Sequence, residues 1–427
     1  MTPSEPEHTA RHAKKPDRKA TKRKLWLSLG AGLLTLGLVG GATWGVHYAK
    51  ADASPEYPAS TVELTVKDTP ATMTVGVVVS YTEDPTQGRG WDLNAEGATV
   101  ANWRLTQGGS HVRVVTVSDQ GSDEGAREAI SSLAKSHVAG VIAATSGTHT
   151  AALADAAHAA GLPIVFPYAQ APTSPKSGTW YGQPSEYQWF HSLSGQMTKR
   201  GCHTVVSLGR HHHVAALTTK SMDLAQGTPA DAAVKAATKS VSGACLLIDS
   251  NADDMGALVA QIRLAGIDIP IFVGPEAAQS RFVNALEAKH VTPTAIYSLG
   301  FASPAVEAAE TSNSSGQAAA FMAAVSTMTT DANVPSLQEG TNFAQRASGV
   351  DAPANDAFLG IVHAAAKEHS DDPHDIADAL KGVSVDAADG ALAGGGADFA
   401  TTQYLTPRAV ETVDLDGHIT WASAPIK

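Results

Sequence analysis

From residue 73 onward the chain alternates between two hydrophobic periods. The β-branched runs TMTVGVVVSY, HVRVVTVSD, VAGVIAAT and LPIVFPY carry consecutive apolar residues, the mark of strands buried on both faces. Between them, DLNAEGATVANWRLTQGG, GAREAISSLAKSH and HTAALADAAHAAG have helical spacing, the first stopped by Gly108-Gly109. Strands alternating with helices predict an α/β unit with a doubly wound parallel sheet. After a polar stretch at residues 183–187 the pattern restarts, with HSLSGQMTKRG and DDMGALVAQIRLAG as helices and CHTVVSL, ACLLIDS and IPIFVG as strands. Two such units predict a bilobed body. Residues 303–353 read as irregular loops around one Ala-rich helix. DAFLGIVHAAAKE is a helix, and RAVETVDLDGHITWA a hairpin turning at Asp416-Gly417.

Upstream of residue 73 the pattern changes. The first 24 residues hold eight Lys or Arg against three acids, and residues 25–48, LWLSLGAGLLTLGLVGGATWGVHY, carry no charge. That stretch is long enough to span a bilayer, with Trp26, Trp44 and Tyr48 near its ends. The basic flank keeps the N-terminus cytoplasmic and places the body outside the membrane. The expected order is a basic tail at 1–24, a transmembrane signal-anchor helix at 25–48 and a Pro/Ser/Thr-rich tether at 49–72. Ala49-Lys50-Ala51 resembles a cleavage site, but the apolar run is much longer than a signal peptide needs. Gly37, Gly41 and Gly45 recur at four-residue spacing, which suits either close helix packing or the ordinary glycine content of membrane helices.

Composition narrows the function. A net charge of -12 with the Lys and Arg clustered at one end argues against nucleic-acid binding. There is no GxxxxGK loop, HExxH or GxSxG elbow, and neither cysteine sits like an activated nucleophile, so the expectation is no enzyme, no cofactor and no metal. Asp414-Leu415-Asp416-Gly417 fits a hairpin turn better than a calcium loop. Cys202 and Cys245 stand at the starts of two second-lobe strands. First and third strands of such a sheet are often neighbours, which puts a disulfide within reach in an oxidising compartment; two buried thiols are the alternative.

The blocks VIAATSGTHTAALADAAHAAG, LPIVFPYAQAPTSP, LAGIDIPIFVGPEAA and HSDDPHDIADALKGVSVD, in this order, resemble the type 1 periplasmic binding proteins, specifically the branched-chain amino-acid (Leu/Ile/Val) receptors of ABC importers. The resemblance covers roughly residues 75–417. It implies two doubly wound parallel sheets joined by three crossovers, with lobe one at 73–183 and 302–388 and lobe two at 184–301 and 389–427. It also implies a small ligand gripped between the lobes, since ligands of open α/β sheets bind beyond the carboxyl ends of strands and at helix starts.

Four places in this sequence carry the implied ligand contacts. Ser146, Gly147 and Thr148 precede a helix and suit a ligand carboxylate, or else Ser146 or Thr148 is an ordinary helix cap. Tyr168, Ala169 and Gln170 occupy the strand-end loop, where Tyr168 replaces a small residue and Gln170 a hydroxyl, so the pocket is reshaped. Glu276, in GPE, is placed to take an ammonium, or faces solvent after a turn. Trp91 is either an apolar wall for the ligand side chain or a surface tryptophan.

Lobe two departs from the family: about 36 residues separate TVVSL from ACLLIDS, too few for the usual helix, strand and helix, so one element is shortened or lost. A pocket aromatic is replaced by Arg210-His211-His212-His213, read as a solvated turn, with His213 as a substitute cleft wall the alternative. The leading expectation is a membrane-anchored extracytoplasmic solute-binding protein that captures an amino acid or similar small polar ligand and works with an ABC permease. The alternative is a membrane-anchored sensor or docking module with a degenerate cleft.

Overall fold

The computed structural model describes residues 61–210, 214, 217–222, 229–239, 241–310 and 315–424. The expected tail, membrane segment and the first half of the tether lie outside these residues, as do His211, His212 and His213. Among the described residues no helix is long and apolar enough to cross a membrane.

The first sheet holds β1 (Thr74–Val79), β2 (Arg113–Ser118), β3 (Gly140–Ala144), β4 (Ile164–Gln170) and β5 (Thr179–Gln183), in the order β2-β1-β3-β4-β5 and parallel throughout. Every residue of β1 and β3 is buried, which is why neither strand shows polar alternation. The crossovers carry α1 (Trp91–Asn94), α2 (Glu96–Gln107), α3 (Asp123–Lys135) and α4 (Thr150–Ala160). Ser122 caps α3 by accepting from Gly125 N, with Asp123 and Glu124 in its first turn and Lys135 in its last, as the helix dipole favours.

The second lobe begins with α5 (Glu186–Lys199). Its sheet contains β6 (Thr204–Gly209), β7 (Thr218–Met222), β8 (Ala244–Asp249), β9 (Ile271–Val273) and β10 (Ile296–Gly300), with α6 (Ala230–Thr238), α7 (Ala252–Leu264) and α8 (Ser280–Glu287). The strands β10-β9-β8-β6-β7 are parallel. The chain then returns to the first lobe through α9 (Pro304–Ala309), α10 (Ser315–Thr330), α11 (Ala352–Glu368), α12 (Pro373–Leu380) and the short pair β11 (Ser384–Val385) and β12 (Ala397–Asp398). It ends as the hairpin β13 (Arg408–Leu415) and β14 (His418–Ser423), antiparallel on the edge of the second sheet, so that sheet is mixed rather than purely parallel. Asp416 and Gly417 both have positive φ, as a two-residue hairpin turn requires.

Two differences from the sequence pattern follow from packing, and one expected departure is located. Residues 390–405 belong with the first lobe, not the second, and the chain crosses only before Arg408. Leu392, Phe399, Tyr404 and Leu405 are buried in the first core, Leu392 N and Ala393 N donate to the Asp356 carboxylate, and Tyr404 N donates to Tyr181 O. The last part of the expected tether is strapped down. Buried Arg104 needs acceptors for its guanidinium and finds Val62 O at 2.9 Å, while Leu64 N donates to Arg104 O. The reduction of lobe two falls between β6 and β7, which pair in parallel with only residues 210–217 between them and no helix among the described ones, where such a crossover normally takes a dozen or more residues.

Cys202 and Cys245 are joined as a disulfide with a Cα–Cα distance of 5.7 Å, because β6 and β8 are neighbours with Val205 beside Cys245. The bridge spans 43 residues of the trimmed region. Its loss in a Cys202→Ser, Cys245→Ser variant is expected to cost about 2–4 kcal/mol. Thermal melts with and without reductant check this; a melting temperature indifferent to reduction in the parent chain would contradict it.

Candidate functional site

The loop after β1 approaches the start of α4 closely. Gly88, at φ 81°, leaves no room for a Cβ, which would lie 2.0 Å from Thr145 Oγ1. This approach delivers Gln87, whose Oε1 accepts from Thr148 N (3.2 Å) and Thr148 Oγ1 (3.3 Å) and lies 3.0 Å from His149 Nδ1. Beneath it, His149 Nε2 is 3.0 Å from Asp119 Oδ2, and Ser80 and Thr145 complete a fully buried polar network. The helix start expected to receive a ligand carboxylate therefore already holds an amide oxygen. Neither Ser146 nor Thr148 caps α4; its N-cap is His149, without a side-chain cap bond.

Trp91 opens α1 with 1% of its surface exposed, so it is neither a loop residue nor a surface tryptophan. Its ring stacks on Tyr168 with centroids 4.2 Å apart and planes 5° from parallel. Trp91 Nε1 donates to Ser146 Oγ (2.9 Å), and Ser146 Oγ donates to Glu276 Oε1 (3.0 Å). Gln279 Nε2 donates to the other oxygen of Glu276. Glu276 lies in the turn of 3-10 helix Pro275–Ala278 after β9, so the Ser146–Glu276 bond joins the two lobes. Asn94 makes a second link, its Nδ2 donating to Ala278 O (3.3 Å) and Asp351 Oδ2 (2.8 Å). Tyr168 Oη donates to Asp351 Oδ1 (2.9 Å).

Of the residues expected in the cleft, Trp91, Ser146, Tyr168 and Glu276 thus come together, bonded to one another. Gly147 (φ 105°) and Thr148 sit under Gln87. Ala169 points away from Tyr168, into the core on the other sheet face with Phe166 and Tyr181, since neighbouring strand residues face opposite ways and the register shift between Phe166 and Gln170 returns Ala169 to the Phe166 face. Gln170 ends β4 opposite Gln183, with Nε2 unpartnered. The sequence pattern did not single out Gln87, Asn94, Asp119, His149 or Asp351. Only Asp351 carries a local signal, as the residue before Ala-Pro at a helix start, and it does cap α11 by accepting from Ala354 N.

Burial sets the electrostatics. It pushes the Glu276 carboxyl above its ordinary value against the opposing hydrogen bond from Ser146 and the Arg210 charge. It pushes Asp351 to about 7 although Asn94, Ala354 N and Tyr168 all donate to it. It also raises the Tyr168 hydroxyl well above its usual range, with the Asp351 charge adding to the effect. Beside this cluster a cavity of about 150 Å³ lies between the lobes, lined among others by Asn94, Tyr168, Gln183, Ser280, Asp351 and Trp421. Among the described residues no group of His, Cys, Asp or Glu is arranged to hold a metal ion.

Two lobes, three crossovers and an interlobe cavity agree with the sequence comparison, in which a family model described as periplasmic binding protein matches residues 89–411. The chain belongs to this family. Periplasmic binding proteins have a non-enzymatic, solute-binding fold. A search of curated proteins found no significant match. Among solved structures, the branched-chain amino acid transporter substrate-binding protein LivJ from Streptococcus pneumoniae, in complex with isoleucine, aligns at 18% identity and TM-score 0.60, covering 82% of this chain and 97% of its own. The leucine-binding protein LivK from Thermotoga maritima aligns at 16% identity and TM-score 0.57, covering 82% and 98%. An ABC transporter substrate-binding protein from Desulfitobacterium hafniense, in complex with Leu, aligns at 14% identity and TM-score 0.59, covering 82% and 100%. At these identities the likeness is one of fold. This periplasmic binding protein shares the architecture of branched-chain amino-acid receptors while its own side chains fill much of the cleft.

Proposed function

We propose that the chain is a membrane-anchored, extracytoplasmic solute-binding protein that closes on a small polar molecule and presents it to an ABC permease. Residues 25–48 form the anchor, the basic residues of 1–24 stay cytoplasmic, and residues 49–60 lead into the body. The observation that carries the reading is the interlobe cavity, a space bordered by both lobes and lined by Asp351 and by the polar residues Asn94, Gln183 and Ser280. Contacts such as Ser146–Glu276 form only when the lobes meet, so a solute that bridges them shifts the protein toward closure.

Thermal shift of the full-length protein against a panel of amino acids, amines, amides and sugars is the direct test. A solute at 100 times its Kd is expected to add about 2.7 kcal/mol of stability. One observation favours the second reading, an envelope docking module: Trp91, which the resemblance makes an apolar wall for a ligand side chain, has its ring face covered by Tyr168 instead. A panel without any shift would replace solute capture by docking. Protease added to intact cells is expected to degrade the body and spare the tail; protection of the body would refute the orientation.

A further inference from the structure

The residues that line the cavity specify a ligand charge. Among the described residues lining it, Asp351 is the one charged side chain, and no Lys, Arg or His joins it. The Asp351 carboxylate accepts from Tyr168 Oη, Asn94 Nδ2 and Ala354 N, all neutral donors. Asn94 is fixed in orientation because its Nδ2 donates twice, which leaves Oδ1 buried without a partner. Gln183 Oε1 and Ser280 Oγ are likewise buried and unpartnered, and the three residues are only 3, 4 and 7% exposed. A buried polar atom with no partner is costly, so a ligand that supplies donors here gains affinity. The aromatic walls Tyr168, Phe301 and Trp421 suit a cation.

The same geometry disfavours an amino acid. Its carboxylate needs donors, but the helix start at 146–148 is taken by Gln87 Oε1, and Ser146 is engaged by Trp91 and Glu276. Inside the cavity that carboxylate would stand against Asp351.

We propose that the interlobe cavity takes a small primary ammonium compound without a carboxylate, its N–H donors shared among Asp351, Asn94 Oδ1 and Gln183 Oε1. This rests on the solute-capture reading and names its ligand class. The test is isothermal titration of the full-length protein in detergent with n-propylamine, alanine, leucine and choline. Saturable binding is expected for n-propylamine, with the two zwitterions and choline at least about 10-fold weaker. Asp351→Asn, which keeps the helix cap, is expected to weaken amine binding at least about 100-fold. Gln183→Met keeps the volume, removes an acceptor and is expected to weaken it about 10-fold, which holds the test open if the first variant does not fold. Binding of alanine or leucine in preference to the amine overturns the ammonium assignment and leaves solute capture standing. Choline binding as tightly as propylamine overturns the role of the N–H acceptors. No saturable heat from any of the four overturns the assignment, and the wider thermal-shift panel then decides solute capture separately.

Discussion

Replacing Trp91 by alanine is expected to lower the unfolding free energy by about 3–5 kcal/mol and to open the gap between the lobes. The indole is 1% exposed, and it packs face to face on Tyr168, so truncation removes both the apolar burial and the ring stack. It also frees Ser146 Oγ of its donor while leaving the bond to Glu276. The vacated space is about the size of a leucine side chain, bordered by the hydroxyl and the acid that the family resemblance assigns to ligand contact. Urea denaturation measures the first effect, and leucine titration of the variant reads the second. Tighter leucine binding than in the parent chain is expected if the tryptophan acts as a plug. A loss below 1 kcal/mol would show that the cleft collapses without strain and that Trp91 is not what holds it shut.

The second large effect is a stability that falls as pH rises from about 4 to about 7. Burial lifts Asp351 from 3.8 to about 7 and Glu307 from 4.5 to about 7, the latter with help from the charges of Glu310 and Asp356. Both folded-state values lie above the unfolded ones, so the folded state holds these protons more tightly. The contribution is fully present below the unfolded value and is lost as pH passes through the folded one. At most it amounts to on the order of 4 kcal/mol for Asp351 and 3 kcal/mol for Glu307. Asp351→Asn removes the first titration, so the variant is expected to match the parent near pH 4 and exceed it at pH 8. Chemical denaturation of both at pH 4, 5.5 and 8 gives the difference directly, cancelling the other carboxylates. A difference that does not grow with pH would mean that Asp351 is ionised in the folded protein at ordinary cost. A bound ammonium should abolish the penalty, because it supplies the counter-charge that the described cavity lining lacks.

The sheet-and-helix alternation was legible because β1, β3 and β8 are buried along their whole length, and continuous apolar runs have one reading in a chain interrupted by helices. The strand β5 was hidden. TWYGQ is short, follows a Pro/Ser-rich stretch and owes its strand to pairing with β4 and to Tyr181 bonding Thr402 and Tyr404, residues more than two hundred positions away. The lobe boundary failed for the same reason: nothing local in residues 390–405 says which core will bury Phe399 and Tyr404. The disulfide was readable as far as Cys202, just ahead of β6, and Cys245, in β8, belong to strands that neighbour each other, which the order β8-β6-β7 satisfies.

Within the cleft, the chain's motifs name the cast: Trp91, Ser146, Tyr168 and Glu276 stand where the resemblance puts ligand contacts, and they do meet. The two-lobed body is legible as well, since hydrophobic period is a property of the chain. That these side chains satisfy one another, that Gln87 fills the helix start and that Asp351 lines the remaining space depends on contacts made between distant parts of the chain. The reason is physical. Periodicity reports how each residue sits on its own helix or strand, whereas a hydrogen bond such as Ser146–Glu276 joins groups 130 residues apart and exists only once both lobes are folded and closed.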